Sequence, residues 1–381
     1  MNLVHLNSLH SLLKNSELSG RYITNSQIEK CIEKLPKTLV SIVGYSVEKR
    51  PIYSLKFGTG PIKILLWSQM HGNESTTTKA LFDCFNLFET NNEIPNYILE
   101  SCTLVVIPIL SPDGAEAYTR INANAVDLNR DAQDLSQPES KVLREVYESF
   151  KPNFCFNLHG QRTIFGAGSL GKVASLSFLS PSQDKNRSIT SNRKVAMAII
   201  SQINKFLQAE IPDRIGRYDD GFNLNCVGDT FQNFGVPTLL YEAGHCPNDY
   251  SREEVRRLIY VSIIKALLVI CDGVNIADYK GYFEIPENSK CFYDVIIRNA
   301  KILETDSKST DIAIQYKEVL KAGKVDFIPV VEVISELDKF YGHKEIDAKG
   351  GSVKTMDNLA LKVGFEIDFV LVNNKKTPLL V

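Results

Sequence analysis

The chain of 381 residues has no long hydrophobic run, no dominant sign of charge, no closely paired cysteines and no internal repeat. Its longest apolar stretch, around Ile263 to Ile270, is far short of the ~20 residues that a membrane-spanning helix requires. The opening MNLVHLNSLHSLLKNSELSG lacks a basic leader and a continuous apolar segment, being interrupted by His5, Asn7, Ser8 and His10, so no signal peptide is read there. Lys and Arg number 43 against 45 Asp and Glu, a net charge of -2. Such a balance provides no global field to attract nucleic acid or anionic lipid, and any preference for an anionic substrate must arise from a local site. The eight cysteines lie scattered in apolar segments without a Cys-x-x-Cys pair, which suits buried free thiols in a reducing compartment better than a disulfide framework. Together these features predict a soluble, cytoplasmic protein that partners neither nucleic acid nor membrane.

What is present is a regular alternation. Residues 63–68 (KILLWS), 102–108 (CTLVVIP), 153–158 (NFCFNL) and 236–242 (VPTLLYE) are short, nearly continuous apolar runs, the pattern of strands buried on both faces. Residues 39–57 alternate more and break at Glu48-Lys-Arg-Pro51, as an edge hairpin does. Helical spacing is found at 75–88, 137–150, 191–208 and 252–270, and Ser136-Gln-Pro-Glu139 has the form of a capping box. Strands alternating with helices predict an α/β fold, with helices covering both faces of the sheet. At 381 residues the chain exceeds one ordinary core. We therefore expect a helical extension over 1–38, a catalytic domain over 39–273 and a β-rich accessory domain over 274–381. In the last, strands are expected at 279–285, 291–297 and 365–372, with one helix near 310–321.

Chemistry concentrates where the buried strands stop. His71-Gly-Asn-Glu74 follows directly on KILLWSQM, at the carboxyl end of a strand, where open α/β sheets place their ligands. An imidazole and a carboxylate separated by Gly and Asn can converge on one cation. A catalytic zinc site takes three such protein ligands and leaves a position open. His159 stands just past NFCFNL and supplies the third; Glu242 stands at the end of VPTLLYE. Four ionisable groups at the ends of buried strands are costly unless a metal or a partner satisfies them. Asn129-Arg130, within NANAVDLNRD, offers an amide and a guanidinium fork to a planar carboxylate, and Arg120 is a second cation suited to an oxyanion. Arg130 also has the simpler possibility of pairing with Asp127 or Asp131. Cys246 and His245 lie close to Glu242 in sequence; the first reads as a packing residue, the second could support the base.

His71-x-x-Glu74, Arg120, Asn129-Arg130, His159 and Glu242 resemble, in order and approximate spacing, the zinc carboxypeptidases, over roughly residues 40 to 272. The resemblance implies a three-layer α/β/α sandwich around a mixed, mostly parallel sheet. It also implies one zinc ion on His71, Glu74 and His159, substrate carboxylate on Asn129 and Arg130, oxyanion support from Arg120, and Glu242 as general base. The substrate would be a peptide or an acylated amino acid with a free carboxylate. The family uses a mobile tyrosine; Tyr218 is the nearest candidate, but RYDDGFNLNC does not align clearly and the role is left unassigned. A similar His-Gly-x-Glu turn and Asp-Leu-Asn-Arg stretch occur in deacylases of the aspartoacylase and succinylglutamate desuccinylase type, which also carry a C-terminal β domain, so an N-acyl amino acid deacylase is the alternative. A non-catalytic carboxylate-binding protein is a third reading, against which an intact Glu242 argues.

Overall fold

A computed structural model describes residues 2–303 and 307–379. The first half and the middle of the chain alternate strand and helix as the apolar pattern predicts. The strands are β1 (Val40–Tyr45), β2 (Pro51–Phe57), β3 (Ile62–Ser68), β4 (Cys102–Ile107), β5 (Phe154–Gly160), β6 (Phe165–Ala167), β7 (Leu176–Leu179), β8 (Ile215–Arg217) and β9 (Thr238–Ala243). The helices are α1 (Leu3–Leu13), α2 (Asn25–Ile32), α3 (Thr76–Phe88), α4 (Glu93–Ser101), α5 (Pro112–Ala117), α6 (Pro138–Phe150), α7 (Ser191–Leu207), α8 (Val227–Asn233) and α9 (Glu253–Cys271).

Eight strands form one mixed sheet in the order β1-β2-β4-β3-β5-β9-β7-β8. Its centre, β4-β3-β5-β9, is parallel, and the β1-β2 hairpin closes one edge antiparallel. Because successive side chains of a strand point to opposite faces, one strand feeds two cores. Ile64 and Leu66 of β3 pack with α3, α7 and α9, whereas Leu65 and Trp67 pack with Val142 and Leu143 of α6 and Phe231 of α8. This is the expected three-layer sandwich. The helical N-terminal segment joins the larger core through Leu6, Leu18, Ile23 and Ile28. A buried ion cluster fixes it: Asp83 of α3 takes Arg256 of α9 at 2.5 and 2.7 Å, the His10 ring at 3.0 Å and the Asn15 amide at 2.8 Å.

The remainder of the chain forms β10 (Asn288–Lys290), β11 (Phe292–Ala300), β12 (Thr310–Lys321), β13 (Lys324–Ser335), β14 (Tyr341–Asp347), β15 (Val353–Lys354), β16 (Phe369–Val372) and β17 (Lys375–Pro378). A four-stranded sheet, β13-β12-β11-β14, packs on the three-stranded β15-β16-β17 through Val295, Ile312, Val331 and Val370. β10 pairs with β6, so this part is stitched to the α/β part by backbone hydrogen bonds.

Four sequence expectations are corrected. Residues 310–321 form β12 and not a helix. Their β-branched and aromatic content favours a strand, and Ala322 and Gly323, both with positive φ (47° and 75°), make the two-residue turn of a β12-β13 hairpin. Residues 279–284 lie in a 3₁₀ run, Ile276–Glu284, which Ile285 caps, and the run is started by the Asn275 side chain, which accepts from the Ala277 amide. There the aromatic residues pack sideways, with the Tyr282 hydroxyl taking the Ser180 amide. No capping box forms at Ser136-Gln-Pro-Glu139. The Ser136 hydroxyl bonds Asp131, and the buried Glu139 carboxylate accepts from the Val47 amide and the Asn122 side chain instead. Within 365–372, only Phe369–Val372 is strand.

Candidate active site

β3 and β5 run parallel, side by side, so the turns that leave their carboxyl ends are neighbours, and β9 lies next to β5 on its other side. His71 and Glu74 sit on the turn after β3, which the sheet brings against the end of β5. Gly72 is required there, because a Cβ atom at that position would lie 1.8 Å from the carbonyl carbon of Gly114. His159 occupies the penultimate position of β5, and its Cα is paired across the ladder with that of Glu242 on β9. A one-residue slip of either strand would turn one of them to the opposite face.

The donor atoms of His71, Glu74 and His159 lie within 4.8 Å of one another. Both histidines are 2% exposed. Their Nδ1 atoms are 3.3 Å apart, and each faces a different oxygen of Glu74, at 2.8 Å (His71) and 3.0 Å (His159). The Nε2 of His71 meets Asp127 Oδ1 at 3.1 Å, an acceptor that favours a proton on Nε2 and, in the neutral ring, the tautomer whose Nδ1 lone pair faces inward. Two inward imidazole nitrogens and a carboxylate, with one nitrogen braced from behind, are a donor set that suits a single zinc ion. The carboxylates of Glu74 and Asp127 favour positive charge at that point. Burial works against a charged His71, but Glu74 and Asp127 outweigh it and lift its pKa to about 9. Burial would raise Glu74, yet His71 and His159 hold it well below the usual carboxylate range.

Glu242 is pushed in the opposite direction. Burial and then the negative charge of Glu74 raise its pKa well above the ordinary value, and its Oε2 is buried without a hydrogen-bond partner among the described residues. A desolvated carboxylate beside a metal site is prepared to accept a proton. Arg120 donates to Asp127 Oδ2 through Nε (3.1 Å) and lies 3.5 Å from Glu74 through Nη1. Arg130 pairs with neither Asp127 nor Asp131; its Nη1 donates to the Asn129 carbonyl and to Cys226 Sγ, and among the described residues the fork meets no carboxylate. Asn129 Oδ1 accepts from the amide of Val227 at the start of α8, and its NH₂ group remains for a ligand.

His71, Glu74, His159, Glu242, Arg120, Asn129 and Arg130 line one cleft of about 750 Å³ together with Tyr218, Asp229, Arg252 and the β12 residues Gln315 to Glu318. Tyr218 lines the same cleft as Glu242 and Glu74, its ring 5.4 Å from that of Phe165. Cys246 is a buried thiol raised by burial to about 11, in keeping with packing. His245 makes no hydrogen bond to Glu242. Its ring lies against His343 and Tyr250, and both its nitrogens lack a partner among the described residues. The sequence reading missed Asp127 as the brace of His71, although it stands two residues before Asn129; nothing in the linear pattern links it to a histidine 56 positions earlier. It also missed Arg21 and Glu318, which meet at 2.9 and 3.0 Å at the cleft, with Tyr118 donating to the same carboxylate.

Comparison with known proteins points the same way. The family model described as zinc carboxypeptidase matches residues 25–254. Carboxypeptidase SOL1 of Arabidopsis thaliana is 28% identical over 180 residues, 41% of this chain and 37% of that protein. Carboxypeptidase E of Caenorhabditis elegans is 31% identical over 164 residues, 35% of this chain and 34% of its own length. The match thus spans little more than a third of these curated relatives. Carboxypeptidase A from Helicoverpa armigera shares the fold with a TM-score of 0.53 at 16% identity, over 71% of this chain and 80% of that one. A metallo-carboxypeptidase from Pseudomonas aeruginosa does so with a TM-score of 0.52 at 18% identity, over 65% and 69%.

Proposed function

The chain belongs to the zinc carboxypeptidase family, and on that premise we propose that it is a metallocarboxypeptidase that hydrolyses the amide bond next to a free C-terminal carboxylate. One observation carries the reading: the ligand atoms of His71, Glu74 and His159 converge within 4.8 Å, with Glu242 directly across the ladder from His159. In the proposal the three converging residues hold one zinc ion. When bound, that ion supplies a Lewis acid that polarises a carbonyl oxygen and makes a water molecule easier to deprotonate.

The remaining roles fall to side chains of the chain itself. Glu242 takes a proton from the attacking water and returns it to the leaving nitrogen, a use that its raised pKa favours. Arg120, beside Glu74, faces the charge that develops on the carbonyl oxygen. Arg130 and the NH₂ of Asn129 hold the terminal carboxylate, for which the planar fork is better shaped than an ammonium. Asp127 keeps His71 in its ligating tautomer. The division into 1–38, 39–273 and 274–381 belongs to the same proposal, as does a cytoplasmic location, which is supported by the eight free thiols.

The contribution of β12 to the cleft wall supports a second reading, an N-acyl amino acid deacylase. One purified, zinc-loaded preparation tests both. N-blocked dipeptides and longer peptides should lose their C-terminal residue and resist once that terminus is amidated. Cleavage of N-acyl amino acids with no cleavage of peptides would select the deacylase, and indifference to amidation would overturn both.

A further inference from the structure

Arg252 belongs to no role assigned above. It precedes α9 in a left-handed conformation (φ 59°), is 2% exposed, and lines the cleft. Its guanidinium spans two strand ends. Nη1 donates to the carbonyl of Ala243 at 2.5 Å, and Nη2 to the carbonyl of Gln161 at 2.7 Å. Ala243 is the residue after Glu242, and Gln161 is two residues after His159. The Gln161 amide also donates to the Ala243 carbonyl at 2.9 Å, so the β5-β9 ladder has one further rung there, and Arg252 bridges it.

That rung follows the Gly160-Ala243 pair, the last of the β5-β9 ladder and the next after His159-Glu242, while the far side of β9 is held there by β7. The bridge is costly. A buried guanidinium that meets carbonyls and no carboxylate loses hydration, and burial together with the neighbouring Arg21 lowers its pKa to about 10. A left-handed non-glycine residue adds local strain. Its anchorage is firm: Asp249 accepts the amides of Glu253, Glu254 and Val255, and its carbonyl accepts the amide of Arg252, so the loop that presents the side chain is tied to the start of α9.

We propose that Arg252 is a positioning residue, whose two-pronged grip on the Ala243 and Gln161 carbonyls sets the spacing between His159 and Glu242. The inference rests on the reading of those two residues as ligand and base. A lysine cannot reproduce it, because one ammonium does not present two fixed parallel donors to carbonyls on different strands.

The test uses the full chain with Arg252→Lys and Arg252→Ala. Zinc affinity, measured by competition with a chromophoric chelator and without substrate, should weaken about tenfold in both, the usual scale for support behind a ligand. At saturating zinc, kcat on an N-blocked dipeptide should fall tenfold or more with KM within about twofold. Millimolar guanidinium should restore part of the kcat of Arg252→Ala, whereas equimolar urea should not. Folded variants with unchanged zinc affinity and kcat would overturn the proposal, and so would loss of fold in both, which would make Arg252 a folding residue. If the unaltered chain hydrolyses nothing, the functional reading fails, while the chelator competition still decides the role of Arg252.

Discussion

Asp83→Asn should show how far the N-terminal segment is part of the main fold. Asp83 and Arg256 are both fully buried, and four donors converge on the carboxylate: two from Arg256, the His10 ring and the Asn15 amide. Asparagine keeps the volume but removes the charge and sets an NH₂ group against donors. Removing one partner of a buried ion pair costs roughly 3–5 kcal/mol, because the other charge is left uncompensated. Arg256 retains Glu253 at 3.1 Å and the carbonyls of Asn15 and Leu18 at 2.7 Å, so the lower end, about 3 kcal/mol, applies. At roughly 2 °C per kcal/mol for a chain larger than 250 residues, Tm should fall by about 6 °C. Arg256→Met added to Asp83→Asn should recover part of this, since the orphaned charge is then gone. Scanning calorimetry and urea unfolding measure the loss, and limited proteolysis between Leu13 and Arg21 reports release of α1. A loss below about 1 kcal/mol, or a double variant worse than the sum of the singles, would refute the argument.

Four further outcomes are expected. Glu242→Gln should lower kcat by at least 10²-fold with zinc still bound, the scale of a lost general base; steady-state kinetics with metal analysis would expose a near-normal rate. Arg130→Lys should lower kcat/KM by roughly 10–100-fold on substrates with a free carboxylate, as a bidentate charged contact is lost. Gly72→Ala forces backbone apart at Gly114, which should shift His71 and Glu74 and weaken zinc binding about tenfold or more, as read by chelator competition. Finally, burial and the nearby charges of His343, Arg252 and Arg21 depress the pKa of His245, packed between His343 and Tyr250. A depressed folded-state pKa adds stability above the unfolded value, about 6.5, and loses it as pH falls. Stability should therefore drop below that pH, and His245→Phe should flatten the slope between pH 7 and 5 in urea titrations; equal slopes would count against this.

The parallel strands were legible because burial on both faces writes itself as continuous apolar runs, and their ends were legible because His71, His159 and Glu242 interrupt those runs. Residues 310–321 were not, because Lys317, Glu318 and Lys321 at helical spacing obscured a strand whose identity depends on pairing with β11 and β13. The short strands β6, β7 and β8 escaped for a related reason: at three or four residues they carry too little pattern and are held by neighbours remote in sequence.

The sequence by itself determined the kinds of chemical group available and the ends of the strands on which they stand, since residue type and local periodicity are properties of adjacent positions. Only the tertiary structure decided which groups meet. The sheet order sets His159 against Glu242, the turn after β3 brings Glu74 to His159 across 85 residues, and long-range contacts recruit Asp127 behind His71 and Arg252 beneath both strand ends. Such meetings are fixed by packing and register over the whole chain, and no local stretch of residues encodes them.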